Sequence, residues 1–212
     1  MVKNGKTRKQ KSQETKMRIF NASIKLFKDH GYENVSVNDI ISQSKTSVGS
    51  FYHYFNSKDE LVLTFLLFKM EQDYESYRTD ILNSNSYADK NALEKLLDFV
   101  VYSQEATHDV GEEFLRISYM HMMSEATGFT AYNFLLAPDR SFAAISKDLI
   151  KEGQEEGVIR TDKSVEELFE MIDLINNGAN EKWYMSRGKY PSKEAFTAVI
   201  EELLQHMFTV RC

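Results

Sequence analysis

Apolar residues recur at helical spacing along almost the whole chain, and this pattern limits the available folds more than any other feature. No segment alternates apolar and polar residues over a length that would predict a strand. The two prolines, Pro138 and Pro191, both fall at predicted helix boundaries, where a missing backbone N–H does little harm. We therefore predict an all-α fold of about nine helices.

The size and composition of the chain fit a globular protein with a full core. It has 212 residues, of which 42% are hydrophobic. The single cysteine, Cys212, excludes an intramolecular disulfide and fits a reducing compartment. The N-terminus has no apolar signal segment, and the longest apolar stretch, residues 61–68, is far shorter than the roughly 20 residues of a membrane span. We expect a cytoplasmic protein with no membrane partner.

Charge is divided unevenly between the two ends of the sequence. Residues 1–60 hold 11 Lys or Arg against 6 Asp or Glu, whereas residues 61–212 hold 15 against 26, which gives the net charge of -6. A basic N-terminal quarter on an acidic body favours an anionic partner at the N-terminal end. The alternative is that the basic residues form only a solvated tail.

Three parts follow from this organisation. Residues 1–16 are rich in lysine and lack apolar periodicity, so they are predicted to form a flexible basic arm. Residues 17–60 contain the signals of short helices, and residues 61–212 read as a larger helical bundle. Serine hydroxyls are predicted to cap three N-termini, namely Ser36, Ser47 and Ser57, and Asp39 and Glu60 would complete capping boxes. The first helix is predicted over 17–30, and helices of the bundle over 89–106, 110–124, 139–156, 164–187 and 192–209.

The helices predicted to start at Ser36 and Ser47 are joined by a short turn and follow a supporting helix, which is the layout of a helix-turn-helix. In such a unit the second helix enters the major groove of DNA with its N-terminal residues on base edges. Gly49 and Ser50 lie at that end. Glycine inside a helix costs about 1 kcal/mol relative to alanine, a cost that is explained if the backbone must approach a partner closely. The hydroxyl of Tyr52 can reach a phosphate.

Lys58 is predicted at the first position of the helix that Ser57 caps, where a positive charge opposes the helix dipole. A bound phosphate would reverse this effect, because the backbone N–H groups and the lysine would then face the same anion. A surface lysine that the helix tolerates is the alternative. We predict that Lys58 contacts a DNA phosphate.

The stretch from Arg18 to Leu61 resembles the DNA-binding domain of the tetracycline-repressor (TetR) family. The residues that carry the resemblance are Ile19, Ala22, Leu26, Phe27, Gly31, Tyr32, Ser36, Val37, Asp39, Ile40, Ser47, Gly49, Phe51, Tyr52, Tyr54, Phe55, Ser57, Lys58, Glu60 and Leu61. The resemblance implies a homodimeric, ligand-responsive transcription regulator, usually a repressor. It covers about a fifth of the chain.

The resemblance also implies roles for single residues. By position, Ser36, Tyr52 and Lys58 would bind phosphates, while Val48, Gly49, Ser50 and His53 would face the bases. The full set expected at the DNA is Ser36, Lys45, Ser47, Val48, Gly49, Ser50, Tyr52, His53 and Lys58.

Two positions depart from the usual family pattern. Lys45 stands in the turn where glycine is frequent, and it could add a phosphate contact. Val48 stands where many members of the family carry a polar or basic residue. Its side chain can touch a thymine methyl but cannot hydrogen-bond a base.

Beyond about residue 85, the resemblance implies a ligand-binding and dimerisation domain. Wide apolar stripes on the last two helices predict a homodimer formed through them, with burial inside one subunit as the alternative. Apolar walls with a few polar groups would suit a small lipophilic or aromatic effector. The candidate pocket residues are Tyr102, Phe114, Met120, His121, Asn176, Asn177, Trp183 and Tyr184.

Rival functions have little support in the sequence. Glu105 and His108 have the Glu-x-x-His spacing of di-iron bundles, but such sites need a second copy of this motif, which is absent from the sequence. Met120 and His121 begin a run of soft metal ligands, yet consecutive residues point to different helix faces. We predict no enzyme, no metal and no cofactor. A TetR-fold activator, or a regulator that answers to a protein partner, stays open.

Overall fold

The computed structural model describes residues 7–123 and 140–209, and nine α-helices lie within them. Their bounds are α1 Arg8–His30, α2 Val37–Ser44, α3 Val48–Tyr54, α4 Lys58–Ser76, α5 Ala92–Val110, α6 Glu112–Met123, α7 Ser141–Glu155, α8 Val165–Met185 and α9 Lys193–Leu203. A π-helical segment continues α4 over Tyr77–Leu82, and another continues α9 over Leu204–Phe208. No strand occurs in these parts of the chain, so the all-α prediction is confirmed.

Helix α1 begins much earlier than the sequence pattern suggested. It starts at Arg8 rather than Met17, so a loose arm is the wrong description of residues 7–16. The cause is a capping box. The Thr7 hydroxyl accepts from the Gln10 N–H at 3.2 Å, and Gln10 Oε1 accepts from the Thr7 N–H at 2.8 Å. The rest of the predicted arm, residues 1–6, lies outside the described residues.

Serine caps begin the next three helices, as predicted. Ser36 and Asp39 form a reciprocal capping box at α2, and the Ser47 hydroxyl accepts from the Ser50 N–H at α3. Ser57 caps α4 in the same way, but the predicted second box is incomplete. The carboxylate of Glu60 accepts from the Asn56 N–H at 2.7 Å instead of turning back to the cap residue.

The five predicted bundle helices are present close to their predicted bounds. Asn91 begins α5 and Ser164 begins α8, each with a full capping box closed by a glutamate three residues later. Helices α5 and α7 pack together, and α8 and α9 complete the bundle. Among the described residues, no helix combines the length and the apolar character that a membrane crossing requires.

Two apolar clusters hold the molecule together. One lies in the bundle and contains Phe99, Phe142, Ile172 and Ile200. The other begins among α1, α2 and α3 and extends into α4, α6 and α8. Phe114 of α6 occupies its centre, with its ring 6.0 Å from that of Phe27 in α1 and 5.7 Å from that of Phe65 in α4. The helix-turn-helix is therefore joined to the bundle through a shared core.

Candidate nucleic-acid interface

Helix α3 presents an exposed face beside a buried one. Phe51 and Phe55 are buried, at 0% and 2% exposure, as their spacing predicted. Val48 and Tyr52 are more than half exposed, at 53% and 55%. More than half of each of these two apolar side chains faces solvent, so this face is available to a partner.

The N-terminal turn of α3 is fixed by two serines. The Ser47 hydroxyl accepts from the Ser50 N–H at 3.1 Å and lies 2.9 Å from the Ser50 hydroxyl. Ser47 is exposed and Ser50 is half-buried. Because the hydroxyls hold each other in place, their remaining donor and acceptor positions have defined directions before any partner arrives.

Gly49 lies between these serines, and nothing in the protomer requires a glycine there. A Cβ at this position would meet only the Ser47 hydroxyl, at 4.0 Å. Its backbone is ordinary right-handed helix. The reason for glycine must therefore come from outside the protomer, which agrees with a close approach of the backbone to DNA.

The turn between α2 and α3 closes on Lys45, which adopts a left-handed conformation with φ of 52°. The Lys45 N–H donates to Ser42 O and the Thr46 N–H donates to Ile41 O, which is a Schellman closure. The turn is thus as tight as one with glycine, at a cost on the order of 1 kcal/mol. The side chain of Lys45 is exposed beside α3.

The first turns of α1 reach the recognition helix, a contact that the sequence did not reveal. The hydroxyls of Ser12 and Tyr54 are 2.9 Å apart, and Lys16 Nζ lies 5.5 Å from the centre of the Phe55 ring. These contacts hold the basic residues Arg8, Lys9 and Lys11 on a rigid helix next to α3.

Lys58 is placed differently from the prediction. Its Nζ donates to Tyr32 O and to Val35 O, both at 2.9 Å, and lies 3.9 Å from the centre of the Tyr32 ring. The charge of Lys58 is therefore already compensated within the protomer. Burial lowers the pKa of Lys58, against the smaller opposite effects of Glu33 and Glu113.

The remaining predicted contacts of this surface are all accessible. Ser36 and His53 are exposed, and the His53 ring packs edge-on against Tyr54 at 4.7 Å. The N-termini of α2 and α3 carry the exposed caps Ser36 and Ser47. Both hydroxyls already make hydrogen bonds, Ser36 with Asp39 and Ser47 with Ser50. The two N-termini therefore offer phosphate oxygens mainly the backbone N–H groups that these caps do not use.

The structure does not bring the predicted effector residues together at one place. Phe114 and Tyr184 belong to the shared core, and His121 points toward Asp59 at the DNA-binding end. Met120, at 62% exposure, and Asn177 lie on the surface. Helical periodicity alone could not show which helix each face meets.

The other predicted residues lie closer to the interior of the bundle. The hydroxyl of Tyr102 donates to Asp73 O at 3.3 Å, and Trp183 stacks on His108 with ring centres 4.1 Å apart. Asn176 is 4% exposed and belongs to a buried set of amides between α5 and α8.

This buried set, the polar cluster, consists of Ser103, Gln104, Thr107, Asn176 and Asn180. Gln104 Nε2 donates to the Oδ1 atoms of Asn176 and Asn180 at 2.7 and 2.9 Å, and the Thr107 hydroxyl donates to Ser103 O.

Three buried polar atoms of this region lack a well-formed hydrogen bond: Gln104 Oε1, His108 Nε2 and Tyr74 Oη. Burial raises the pKa of Tyr74, and Arg140 and the adjacent Thr107 offset part of this rise. Unpaired polar atoms inside a bundle cost free energy, so they mark a place where a further partner is expected.

The candidate metal motifs are not assembled. Glu105 pairs with Lys193, and His108 stacks on Trp183, so their side chains do not converge. Within residues 7–123 and 140–209, no group of three His, Cys, Asp or Glu could hold a metal ion.

Comparison with known proteins fits this geometry. Residues 19–64 match the family of bacterial regulatory proteins of the tetR type. An uncharacterised HTH-type transcriptional regulator from the lacX 3' region of Lactococcus lactis is 31% identical over 94 residues, 43% of this chain and 46% of the relative. The match therefore spans about half of that relative. The repressor KstR2 of Mycobacterium tuberculosis is 24% identical over 169 residues, 80% of each chain.

The fold also has a close counterpart among solved structures. FadR of Thermus thermophilus, a TetR-family repressor solved with lauroyl-CoA, superposes with a TM-score of 0.69. The superposition covers 93% of this chain and 96% of FadR at 20% identity. Residues 19–64 of this chain therefore carry a helix-turn-helix of the tetR type, and the chain as a whole shares the fold of FadR.

Proposed function

We propose that this protein is a ligand-released repressor that binds a roughly palindromic operator as a homodimer. The observation that carries the proposal is the outer face of α3, where Val48 and Tyr52 are more than half exposed and a Cβ on Gly49 would have no neighbour closer than 4.0 Å. The sequence relative KstR2 and the structural neighbour FadR are both repressors by name.

Contacts to the DNA divide into two groups. Val48, Gly49, Ser50 and His53 face the bases of the major groove, and Val48 favours a thymine methyl. The phosphates are held by Ser36, Lys45, Ser47 and Tyr52, whose hydroxyls, backbone N–H groups and charge lie around the ends of α2 and α3.

The homodimer forms through the surface of α8 and α9. Most of the apolar stripe on these helices is buried inside the subunit, as for Leu168 and Ile200, but Leu174, Met185 and Val199 stay 54–68% exposed. Two copies of α3 must enter major grooves one turn apart, about 34–36 Å, and a symmetric dimer provides that spacing.

The effector binds beside the polar cluster. Gln104 Oε1, His108 Nε2 and Tyr74 Oη would hydrogen-bond its polar group, and the bundle core that includes Phe99 and Phe142 would accept its apolar part. Lauroyl-CoA is the first probe because FadR was solved with it.

The test begins with selection of duplexes from a random library by purified protein, followed by footprinting of the selected site. We expect a roughly palindromic protected site and a protein–DNA complex of two protomers, measured by light scattering. Recovery of no preferred sequence, or protection by a monomer, would contradict the proposal.

Release is then measured by titrating lauroyl-CoA into the complex and following fluorescence anisotropy. Tyr74→Phe removes a buried hydroxyl that has no good partner and keeps the shape of the side chain. The variant should therefore bind the operator as tightly as the wild type. It should need a higher concentration of lauroyl-CoA for release. The matched control is Tyr190→Phe, at a tyrosine 56% exposed. An effector that tightens the complex would rule out the release scheme.

A further inference from the structure

Three neighbouring side chains connect the start of α4 with the loop between α1 and α2. Lys58 Nζ donates to two carbonyls of that loop, Tyr32 O and Val35 O, both at 2.9 Å. The Tyr32 hydroxyl in turn donates to the carboxylate of Asp59, the next residue of α4. Tyr32 is thus held by its carbonyl, its ring and its hydroxyl, and only 6% of its surface is exposed.

The loop held in this way sets the position of the helix-turn-helix. Val35 directly precedes Ser36, the cap of α2, and α2 leads into α3 through the closed turn at Lys45. A shift of Val35 relative to α4 would therefore move both DNA-facing helices together.

The same site extends to the bundle. The second oxygen of Asp59 lies 4.0 Å from Nδ1 of His121 on α6, whose side chain is 15% exposed. Among the described helices, α6 also makes the most extensive contacts with α4. Tyr32, Asp59 and His121 together line a cleft of about 370 Å³ between α6 and the loop.

We propose that Lys58, Tyr32 and Asp59 form a positioning clamp that sets the angle of α2 and α3 against α4, and that His121 ties this clamp to α6. Lys58 then acts through the loop and does not hold a phosphate. The proposal rests on the proposed repressor function, since α6 would pass effector binding to the DNA-facing helices through the clamp.

The electrostatics of Lys58 support this role over a phosphate contact. Two of the three ammonium hydrogens are used by carbonyls, and the ring of Tyr32 covers the group. A phosphate contact would require these bonds to break. Lys45 can serve as the control for Lys58, because it is exposed in the turn and its side chain makes no such bonds in the described structure.

The first experiment needs no DNA. Nitroxide labels at Gln43→Cys in α2 and Asp109→Cys in α5, in a Cys212→Ser background, report the distance between the two parts by pulsed EPR. The labelled protein is diluted with unlabelled protein so that only one protomer contributes. Lys58→Met should broaden the distance distribution, and Lys45→Met should leave it unchanged. An unchanged distribution in Lys58→Met would overturn the clamp.

The second experiment separates positioning from phosphate contact through the salt dependence of binding to a selected duplex. A lysine that neutralises a phosphate contributes about 0.9 per contact to the slope of log affinity against log salt. Lys58→Met should weaken binding by about tenfold to a hundredfold through the loss of charge-assisted hydrogen bonds, with the slope kept. If Lys58→Met flattens the slope by about 0.9 for each protomer, Lys58 holds a phosphate and the proposal is wrong.

A double-mutant cycle distinguishes a loss of the clamp from a general loss of stability. If Tyr32→Phe and Lys58→Met act through one loop, the double variant should bind about as tightly as Lys58→Met alone; effects that multiply would contradict the clamp. Failure of the wild type to select any duplex would count against the repressor function, while the EPR result would still decide the clamp.

Discussion

Gly49 is a residue whose identity the protomer does not explain, and this makes it the sharpest test of the DNA-facing surface. The site around it can hold a Cβ without a contact under 4.0 Å. Gly49→Ala should therefore raise the free energy of unfolding by up to about 1 kcal/mol. It should also weaken operator binding, on the order of tenfold, because the methyl group would stand where the DNA backbone or a base edge approaches.

Thermal unfolding and fluorescence anisotropy measure the two effects separately. Ser50→Ala is the companion variant, since it removes a hydroxyl without adding an atom and should change preference among selected sites. If Gly49→Ala binds as tightly as the wild type, the glycine does not face DNA.

His108 gives the bundle a predictable response to acid. Burial against Trp183 lowers the pKa of His108, although Asp109 and Glu105 oppose the shift. The unfolded chain therefore binds more protons than the folded one below about pH 6.5, so stability falls as the pH decreases through that range. When the pH is lowered from about 7 to about 5, the Tm of His108→Gln should fall by less than the Tm of the wild type.

Calorimetry at several pH values checks this prediction. The same substitution at the exposed His53 is the control and should leave the acid loss of Tm as in the wild type. An equal loss of Tm in His108→Gln would show that other groups cause it.

Lys58 shows how far a single residue can be interpreted from sequence. Its unusual place at a helix N-terminus was visible, but the partner predicted for it was a DNA phosphate. The partners are carbonyls 26 and 23 positions earlier in the chain. A contact over that separation depends on how α1, α2 and α4 pack, which no local pattern records.

At the scale of single elements, capping residues made most helix starts predictable. Ser36, Ser47 and Ser57 each begin a helix with the hydroxyl bond that their spacing implied. Helix α1 was missed at its start because its first turns carry no apolar face, and apolar periodicity was the criterion for a helix. Thr7 and Gln10 were the available signal.

The early turns of α1 should contribute to DNA binding as a rigid extension. Gln13 is exposed and uncharged, so it allows the helix to be broken without changing charge. Gln13→Pro removes a backbone hydrogen bond and should cost about 3 kcal/mol of local helix stability. We expect weaker DNA binding, because Arg8, Lys9 and Lys11 would no longer be held beside α3.

Gln13→Ala is the matched control, since it keeps both the helix and the charge and should bind like the wild type. Circular dichroism reports the loss of helix, and anisotropy reports affinity. Equal affinity of the two variants would mean that the basic residues act without a fixed position.

At the scale of the whole molecule, the predicted dimer rests on a small exposed patch of α8. Leu174 and Met185 are 63% and 68% exposed, and Gly178 lies between them on the same face, where a Cβ would have no neighbouring atom within 4 Å. Leu174→Glu would place a carboxylate in this interface, at a cost of several kcal/mol. The variant should be monomeric by light scattering and should bind a half-site only weakly.

The control for this prediction is Met120→Glu, because Met120 is 62% exposed and lines the cleft beside Tyr32 and Asp59. It should stay dimeric. A dimeric Leu174→Glu would move the interface to another surface.

The candidate effector site was the least predictable part of the molecule. The sequence prediction named Asn176 as a candidate effector contact together with Met120 and Asn177, which lie on the surface. Which polar groups share the interior depends on the rotation of α5 against α8. Gln104 and Thr107, which meet Asn176 there, carry no signal apart from being polar residues on a mostly apolar helix face.

Phe114 has a consequence for how such proteins can be recombined. Its ring lies between Phe27 of α1 and Phe65 of α4, so the apolar core crosses the point where sequence resemblance ends. A chimera that exchanges only residues 1–60 with a relative would pair foreign aromatic rings across this core. A chimera that gains a new operator specificity should therefore need the matching surface of α6 from the same relative as its recognition helix. Alternatively, only Val48, Gly49 and Ser50 would be exchanged, which leaves the core unchanged.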